Sequence, residues 1–230
     1  ITLGVLATRC TSQFDRQAFN FAGVGSVDGS VAVPAAPDLT DENTNRRERS
    51  TELYARNAIT LAPTWRVWMG LRHSQLNRVS VRTDGSRATN YQQSFTTPWL
   101  ALTHQATPQT TLYASVGQGI ESDVAPNRSR YTNAGQALPA LKSQQVEIGV
   151  KHDGDTLDAS AAIFDIRRPQ ATDIGPCDVA GSCTRQIDGT ARHRGAEALV
   201  SWRLGDLTLH ASGMLLDAKR RGAADSSANG

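Results

Sequence analysis

The sequence predicts an all-β chain, the wall of an antiparallel up-and-down β-barrel with about nine strands, on three observations. Apolar and polar residues alternate with period two in recurring segments of about ten residues. The links between those segments are alternately very short and long. No segment carries a convincing helical period.

The strands follow in order. Ile1, Leu3, Val5 and Ala7 alternate with Thr2, Gly4 and Thr8, and Val67, Met69 and Leu71 alternate with Arg66, Gly70 and Arg72. Val146, Ile148 and Val150 alternate with Glu147, Gly149 and Lys151, and Leu207, Leu209 and Ala211 with Thr208, His210 and Ser212. Segments 51–61, 98–103, 111–116, 157–166 and 195–203 share the tendency, with Asn57 and Leu199 breaking it. Charged residues between apolar ones exclude strands buried on both faces. Links 62–64, 106–109, 152–155 and 204–206 each hold Pro or Gly and read as tight turns, whereas links 11–50, 77–93, 118–142 and 167–192 are long and polar. Long loops all on one side are unusual for a soluble domain, and a transmembrane barrel with short turns on one rim and long loops on the other accounts for them.

Composition narrows the function. Lys and Arg number 24 against 22 Asp and Glu, a formal charge of +2, which gives no electrostatic reason to expect nucleic acid. The longest runs of hydrophobic residues, Trp99 to Leu102 and Ala161 to Phe164, are four long, far short of the roughly 20 that a membrane-spanning helix needs. Barrel strands need no such run, because lipid-facing and lumen-facing residues alternate. The chain opens at Ile1 inside an alternating stretch and closes in a small polar tail at 223–230, so it reads as a piece of a longer protein. An even strand number is the rule for bacterial barrels, which points to further strands in the parent.

No catalytic signature is present, and the five histidines show no metal-ligand spacing with one another or with the cysteines. Gly70, Gly117 and Gly149 fall on the polar face, where the wall is expected to lie close to other backbone. Trp65 and Trp202 lie near predicted short turns with the parity of the apolar face and suit an aromatic girdle; Trp99 and Tyr113 have the other parity, either lumen-facing or exceptions. Cys177 and Cys183 lie in one polar, Gly- and Asp-containing segment and are candidates for a disulfide in an oxidising compartment.

The segment 118–151 contains Gln118-Gly119-Ile120-Glu121-Ser122, Tyr131-Thr132-Asn133-Ala134-Gly135 and Leu138-Pro139-Ala140-Leu141-Lys142-Ser143-Gln144-Gln145-Val146-Glu147-Ile148-Gly149-Val150-Lys151. Gly70-Leu71-Arg72 and Leu112-Tyr113-Ala114-Ser115 precede it, and Phe164-Asp165-Ile166, Arg194-Gly195-Ala196-Glu197 and Leu216-Asp217-Ala218 follow. In order and spacing these pieces resemble the barrel of TonB-dependent siderophore receptors over about 51–219; His73-Ser74 departs from the family's frequent aromatic-acid pair. The resemblance implies that 1–230 is part of a 22-stranded barrel whose lumen is plugged, an architecture of outer-membrane transporters, with the plug domain, TonB box and signal peptide outside these residues.

It further implies a bacterial outer-membrane location, uptake of a ferric siderophore driven by the TonB-ExbB-ExbD system and the proton-motive force, contact with outer-membrane lipid and lipopolysaccharide, and no covalently bound cofactor or enzymatic step. Candidate ligand contacts are Arg128, Arg130 and Tyr131, with Arg46, Arg47, Arg49, Arg167, Arg168 and Arg192 as basic alternatives, since Arg forks bind oxygen-rich anions while aromatic faces stack. Arg72 and Lys151 have lumen parity and are placed to pair with plug carboxylates. A passive porin-like channel and a soluble extracellular β-rich binding protein are the alternative readings.

Overall fold

A computed structural model describes residues 1–16, 23–33 and 43–230; parts of the 11–50 link therefore lie outside the described residues. The strands are β1 (Thr2–Ser12), β2 (Thr44–Ala62), β3 (Trp65–Arg82), β4 (Thr89–Thr107), β5 (Thr110–Glu121), β6 (Leu141–Asp153), β7 (Leu157–Ile174), β8 (Thr184–Leu204) and β9 (Leu207–Arg221). They form one sheet in the order β1-β2-β3-β4-β5-β6-β7-β8-β9, each strand antiparallel to its neighbours in sequence. This is the up-and-down order of a barrel wall, open at β1 and β9.

Register converts the alternating sequence into two chemically distinct faces, because residues directly opposite share a face. One row crosses eight strands as Ile59, Val67, Leu102, Ala114, Ile148, Ile163, Ala196 and Leu215, apolar throughout. The next row, on the other face, reads Thr60, Arg66, Thr103, Tyr113, Gly149, Ala162, Glu197 and Met214. Outward apolar side chains stay uncovered, with Ile163 59% and Leu215 78% exposed. Water would penalise so continuous a patch, whereas hydrocarbon covers it at no cost.

Turns on one rim are short, as at Pro63–Thr64, Pro108–Gln109 and Gly205–Asp206, where Gly205 takes a φ of +61°. Register shifts at Thr60/Ala62 and Gln105/Thr107 bend the strands beside the first two. Trp65 and Trp202 face outward at this rim; Trp65 stacks on His104 with ring centroids 4.3 Å apart, and Trp202 sits opposite Leu157 and Leu209.

The other rim departs from the sequence expectation. Links 77–93 and 167–192 are mostly strand: β3 runs to Arg82 before β4 starts at Thr89, and β7 runs to Ile174 before β8 starts at Thr184. The β3 extension keeps a short alternation, with Val79 and Val81 outward between Arg78, Ser80 and Arg82, too brief to stand out in a polar link, and the β7 extension is interrupted by Pro169 and a register shift.

On the lumen face a Cβ at Gly149 or Gly195 would meet backbone, the carbonyls of Ala161 and Leu215, as the sequence expectation has it. Aromatic rings from the strand opposite also lie over these positions: Tyr54 over Gly4, Trp99 over Gly70, Tyr113 over Gly149 and Phe164 over Gly195, each pair in direct register. All four pairs join strands connected by the longer links, and each ring covers backbone that a glycine leaves bare. A Cβ on Gly70 would stand 2.3 Å from Trp99 Nε1. In the full-length protein folded into lipid vesicles, Gly70→Ala is expected to cost about 1–3 kcal/mol in denaturant unfolding, as overpacking does. In a Trp99→Ala background the same change is expected to cost under about 0.5 kcal/mol; an equal cost in both backgrounds would show that the ring does not set the glycine.

Candidate functional site

The lumen face and the rim carrying the longer connections hold the side chains able to meet a solute. β4 presents Tyr91, Gln93, Phe95, Thr97 and Trp99 to the lumen by strict alternation, so three aromatic residues descend one strand. Arg78 on β3 lies opposite Tyr91 with its guanidinium 5.3 Å from the ring, donates from Nε to Glu48 Oε2 at 2.6 Å and from Nη2 to Ser122 Oγ at 3.3 Å. The Tyr91 hydroxyl and Gln93 Oε1 are buried without a hydrogen-bond partner among the described residues. Lower on the wall the Tyr113 hydroxyl donates to Glu147 Oε1 at 2.6 Å, and Lys151 Nζ lies 5.3 Å from the Tyr113 ring centre. Arg72 pairs with Glu52 at 3.4 Å. Arg72 and Lys151 thus line the lumen face, each already engaged by the wall itself.

Residues 122–140 fold into a cap over this rim, packed like a small globular interior. Ala125, Asn127, Tyr131 and Leu138 are all buried there, as are Leu141 at the start of β6 and Cys183 beside β8. Asn127 and Arg87 exchange hydrogen bonds, tying the cap to the β3–β4 turn: Nδ2 donates to the Arg87 carbonyl at 2.6 Å and Arg87 Nε donates to Oδ1 at 3.3 Å. On the other side the backbone N–H of Thr132 donates to Cys183 O at 2.7 Å and that of Cys183 to Arg130 O at 3.0 Å. Asn133 Nδ2 donates to Arg185 O at 2.7 Å, and Arg185 N donates back to Asn133 Oδ1 at 3.1 Å. Cys183 is bonded to Cys177 across the β7–β8 connection, with Cα atoms 4.4 Å apart.

Arg185 is the electrostatic centre of the cap. Its Nε and Nη2 bond Asp123, and its Nη1 bonds Asp173 Oδ1 at 3.0 Å. The hydrogen bonds to Asp123, ahead of those to Asp173, hold the guanidinium above its usual range. Tyr131 is only 3% exposed, and its hydroxyl donates to Asp173 Oδ2 at 2.7 Å. Burial pushes the Asp173 carboxyl up, but the bonds from Tyr131 and Arg185 outweigh it and hold the group below the usual aspartate value of 3.8.

The sequence-selected residues scatter. Tyr131 is a buried anchor of the cap, so its ring has no open face for stacking on a ligand, while Arg128 and Arg130 stay exposed beside it. Arg46 shares the lumen face with Ser12 and Ser80, whereas Arg47 and Arg49 point outward. Arg168 faces inward and pairs with Glu121 at 2.6 Å; Arg167 and Arg192 face outward. Sequence reasoning missed Tyr91, Phe95, Arg78 and Arg185. The period-two run from Tyr91 to Trp99 was the available signal, hidden because its first half sat in a segment read as loop. Among the described residues no group of three or more His, Cys, Asp or Glu is placed to hold a metal ion.

Because Asp173 is held below its usual value, its share of cap stability is present above the unfolded value and is lost as pH falls below about 4. Arg185→Met leaves Asp123 and Asp173 facing each other without a cation. In the full-length protein it is expected to speed trypsin cleavage after Arg128 and Arg130 about tenfold at pH 7, the size of losing one charge-assisted bond. Cleavage at the wild-type rate would remove Arg185 as the clamp.

Residues 4–229 match the family described as TonB dependent receptor-like, beta-barrel. No curated protein matches the chain in sequence. Among solved structures the ferric preacinetobactin receptor BauA of Acinetobacter baumannii is 24% identical with a TM-score of 0.63, over 82% of this chain and 28% of that one. The alcaligin outer-membrane receptor FauA of Bordetella pertussis is likewise 24% identical with a TM-score of 0.63, over 78% and 32%. The siderophore receptor PiuA of Acinetobacter baumannii is 20% identical with a TM-score of 0.63, over 81% and 28%. These likenesses establish the fold, and the chain spans about a third or less of each of those proteins. With the family match running nearly end to end, the chain belongs to the TonB-dependent receptor-like β-barrels.

Proposed function

We propose that this chain is part of the wall of a receptor that takes up a ferric siderophore across the outer membrane, driven by TonB with ExbB-ExbD and the proton-motive force. The observation that carries the reading is the family match over 4–229 joined to a lumen face bearing aromatic, ion-paired and unsatisfied polar groups at its upper end. Tyr91 and Phe95, with Arg78 against Tyr91, suit an aromatic- and oxygen-bearing chelate, whose rings can stack on theirs. Arg128 and Arg130 are exposed cations for first contact at the cap, and Tyr131 holds that cap in place. Arg72 and Lys151 are available to a plug that fills the lumen, and Cys177–Cys183 stiffens the connection to which the cap is tied.

A passive channel and a soluble binding protein fit less well, because the first gives no role to a folded cap and the second leaves the outward apolar rows uncovered. The test is uptake of radiolabelled ferric siderophores by iron-starved cells lacking the full-length gene and complemented with it. One siderophore is expected to accumulate only with the gene present and to stop when the proton-motive force is dissipated. Accumulation that survives dissipation would point to passive diffusion. Tyr91→Ala with Phe95→Ala is expected to weaken binding of that siderophore about tenfold or more while leaving the amount of folded receptor in the outer membrane unchanged, consistent with loss of two stacking contacts.

A further inference from the structure

We propose that the lumen face of β3 and β4 is the lane along which an anionic, aromatic-bearing cargo leaves its upper site, and that Arg56, Arg66, Trp68 and Trp99 form a second, lower subsite on that lane. The inference rests on the uptake reading above and deepens it, from where the cargo binds to where it passes.

Direct register lays the lane out row by row. Going down from the rim of the longer connections, the lumen rows of the β3–β4 pair carry Arg78 with Tyr91, then Phe95, Arg72, Trp99, Trp68 and Arg66 in turn, with only the row of Leu76 and Gln93 interposed. From Tyr91 to Thr103, which stands opposite Arg66, the strand covers about 41 Å at about 3.4 Å per residue, or about 29 Å along the barrel axis at a tilt of about 45°. Guanidinium groups and rings therefore accompany a solute through the whole apolar thickness of the membrane. Each suits the same solute, since Arg forks take oxygen-rich anions and aromatic faces stack.

The positive charge of the lane is less and less compensated on the way down. Arg78 is bonded to Glu48 at 2.6 Å with its side chain 15% exposed, and Arg72 pairs with Glu52 at 3.4 Å with its side chain 59% exposed. Arg56 and Arg66 have no carboxylate partner among the described residues. The Arg66 guanidinium lies 5.7 Å from the Trp68 ring centre, and Arg56 shares a row with Gly70 and Trp99, the row next above Trp68. Two uncompensated cations and two exposed indoles thus gather within three successive rows near the short-turn rim. Further round the lumen the same rows turn acidic: the row of Trp68 reaches Glu147 on β6, and the row of Arg66 reaches Glu197 on β8. Like charge keeps an anion off that side, and β3–β4 offers it the opposite charge. The lower subsite is continuous with the upper one through Phe95 and Arg72, so its occupant is the cargo; an acidic plug segment is the competing occupant.

The test uses iron-starved cells carrying the full-length receptor and the radiolabelled ferric siderophore that they accumulate. Surface binding is measured with the proton-motive force dissipated, where binding capacity reports the amount of folded receptor, and the maximal uptake rate is measured with the force intact. Arg56→Gln with Arg66→Gln is expected to leave the dissociation constant within about twofold of wild type and to slow uptake about fivefold or more. Trp68→Ala, which leaves the Trp99–Gly70 pair in place, is expected to slow uptake about threefold or more with the same unchanged binding. Arg47→Gln with Arg49→Gln removes the same charge from the outward face and is expected to change uptake less than about twofold. In purified receptor the urea midpoint of plug unfolding is expected to be the same for the lumen variant as for wild type. Uptake at the wild-type rate by the lumen variant, or surface binding weakened by the same factor as uptake, overturns the lane. Slowed uptake with a plug that unfolds at lower urea assigns the two cations to the plug and overturns it as well. Wild-type cells that accumulate no siderophore, or that accumulate it with the force dissipated, defeat the uptake reading instead.

Discussion

Hydrocarbon offers no hydrogen bonds to a backbone, so a chain that lies in it as strands must pair every strand with its neighbours. Here that requirement produces a sheet in which sequence order and spatial order are the same. Antiparallel pairing in fixed register then dictates side-chain placement, since residues alternate between faces and opposite residues share one. The apolar row from Ile59 to Leu215 and the mixed row from Thr60 to Met214 differ by one position on each strand, and a slip of one residue would exchange them. Little of the sheet has a core in the ordinary sense. The larger buried side chains sit mostly at the cap, with Ser74, Leu76, Ser80, Ala162 and Ala191 buried on the lumen face of the wall, which otherwise relies on its ladder and on the solvent of each face.

The lumen face needs its own reinforcement, because polar side chains facing water do not hold a wall flat. Direct-register pairs of glycine and aromatic residue, at Gly4 and Tyr54, Gly70 and Trp99, Gly149 and Tyr113, and Gly195 and Phe164, supply it at each pair of strands joined by a longer connection. Glycine lets the ring lie down on the backbone, and the ring returns the apolar cover that glycine lacks. Above the bilayer the means of support changes. The β7–β8 tip, the β3–β4 turn and residues 122–140 are joined by Arg185, Asn127, Asn133 and backbone bonds, so the three connections act as one body.

The strand count, the short turns and the outward parity of Trp65 and Trp202 were legible in the sequence, because each rests on a single alternating face against lipid. Beyond Asn77 β3 carries only the brief alternation of Val79 and Val81, and beyond Arg167 β7 is broken by Pro169 and a register shift, which is why both read as loops. The cap was illegible for another reason. Tyr131, Asp173 and Arg185 are brought together across 42 and 12 positions of sequence by the register of β7 with β8 and by the cap's own docking. A tyrosine between arginines looks like a ligand contact in one dimension; in three its hydroxyl is spent on Asp173. The glycines lie on the lumen face as expected, and backbone does approach Gly149 and Gly195, but each also meets an aromatic ring from the facing strand, which no local pattern announces.

Parity also changes what a run of basic residues means. Arg46 and Arg47 are adjacent in sequence and belong to different solvents, as are Arg167 and Arg168. Inward, Arg72, Arg78 and Arg168 each hold a carboxylate of the wall, and Lys151 lies over Tyr113, so much of the lumen's charge is already compensated. Outward, Asp165 compensates one guanidinium of three, those of Arg167, Arg192 and Arg194. The two faces therefore carry different electrostatic tasks on the same strands. An anion entering the lumen would have to compete with carboxylates already in place on Arg72, Arg78 and Arg168. A net charge of +2 for the chain conceals this division, because it sums over faces that the membrane keeps apart.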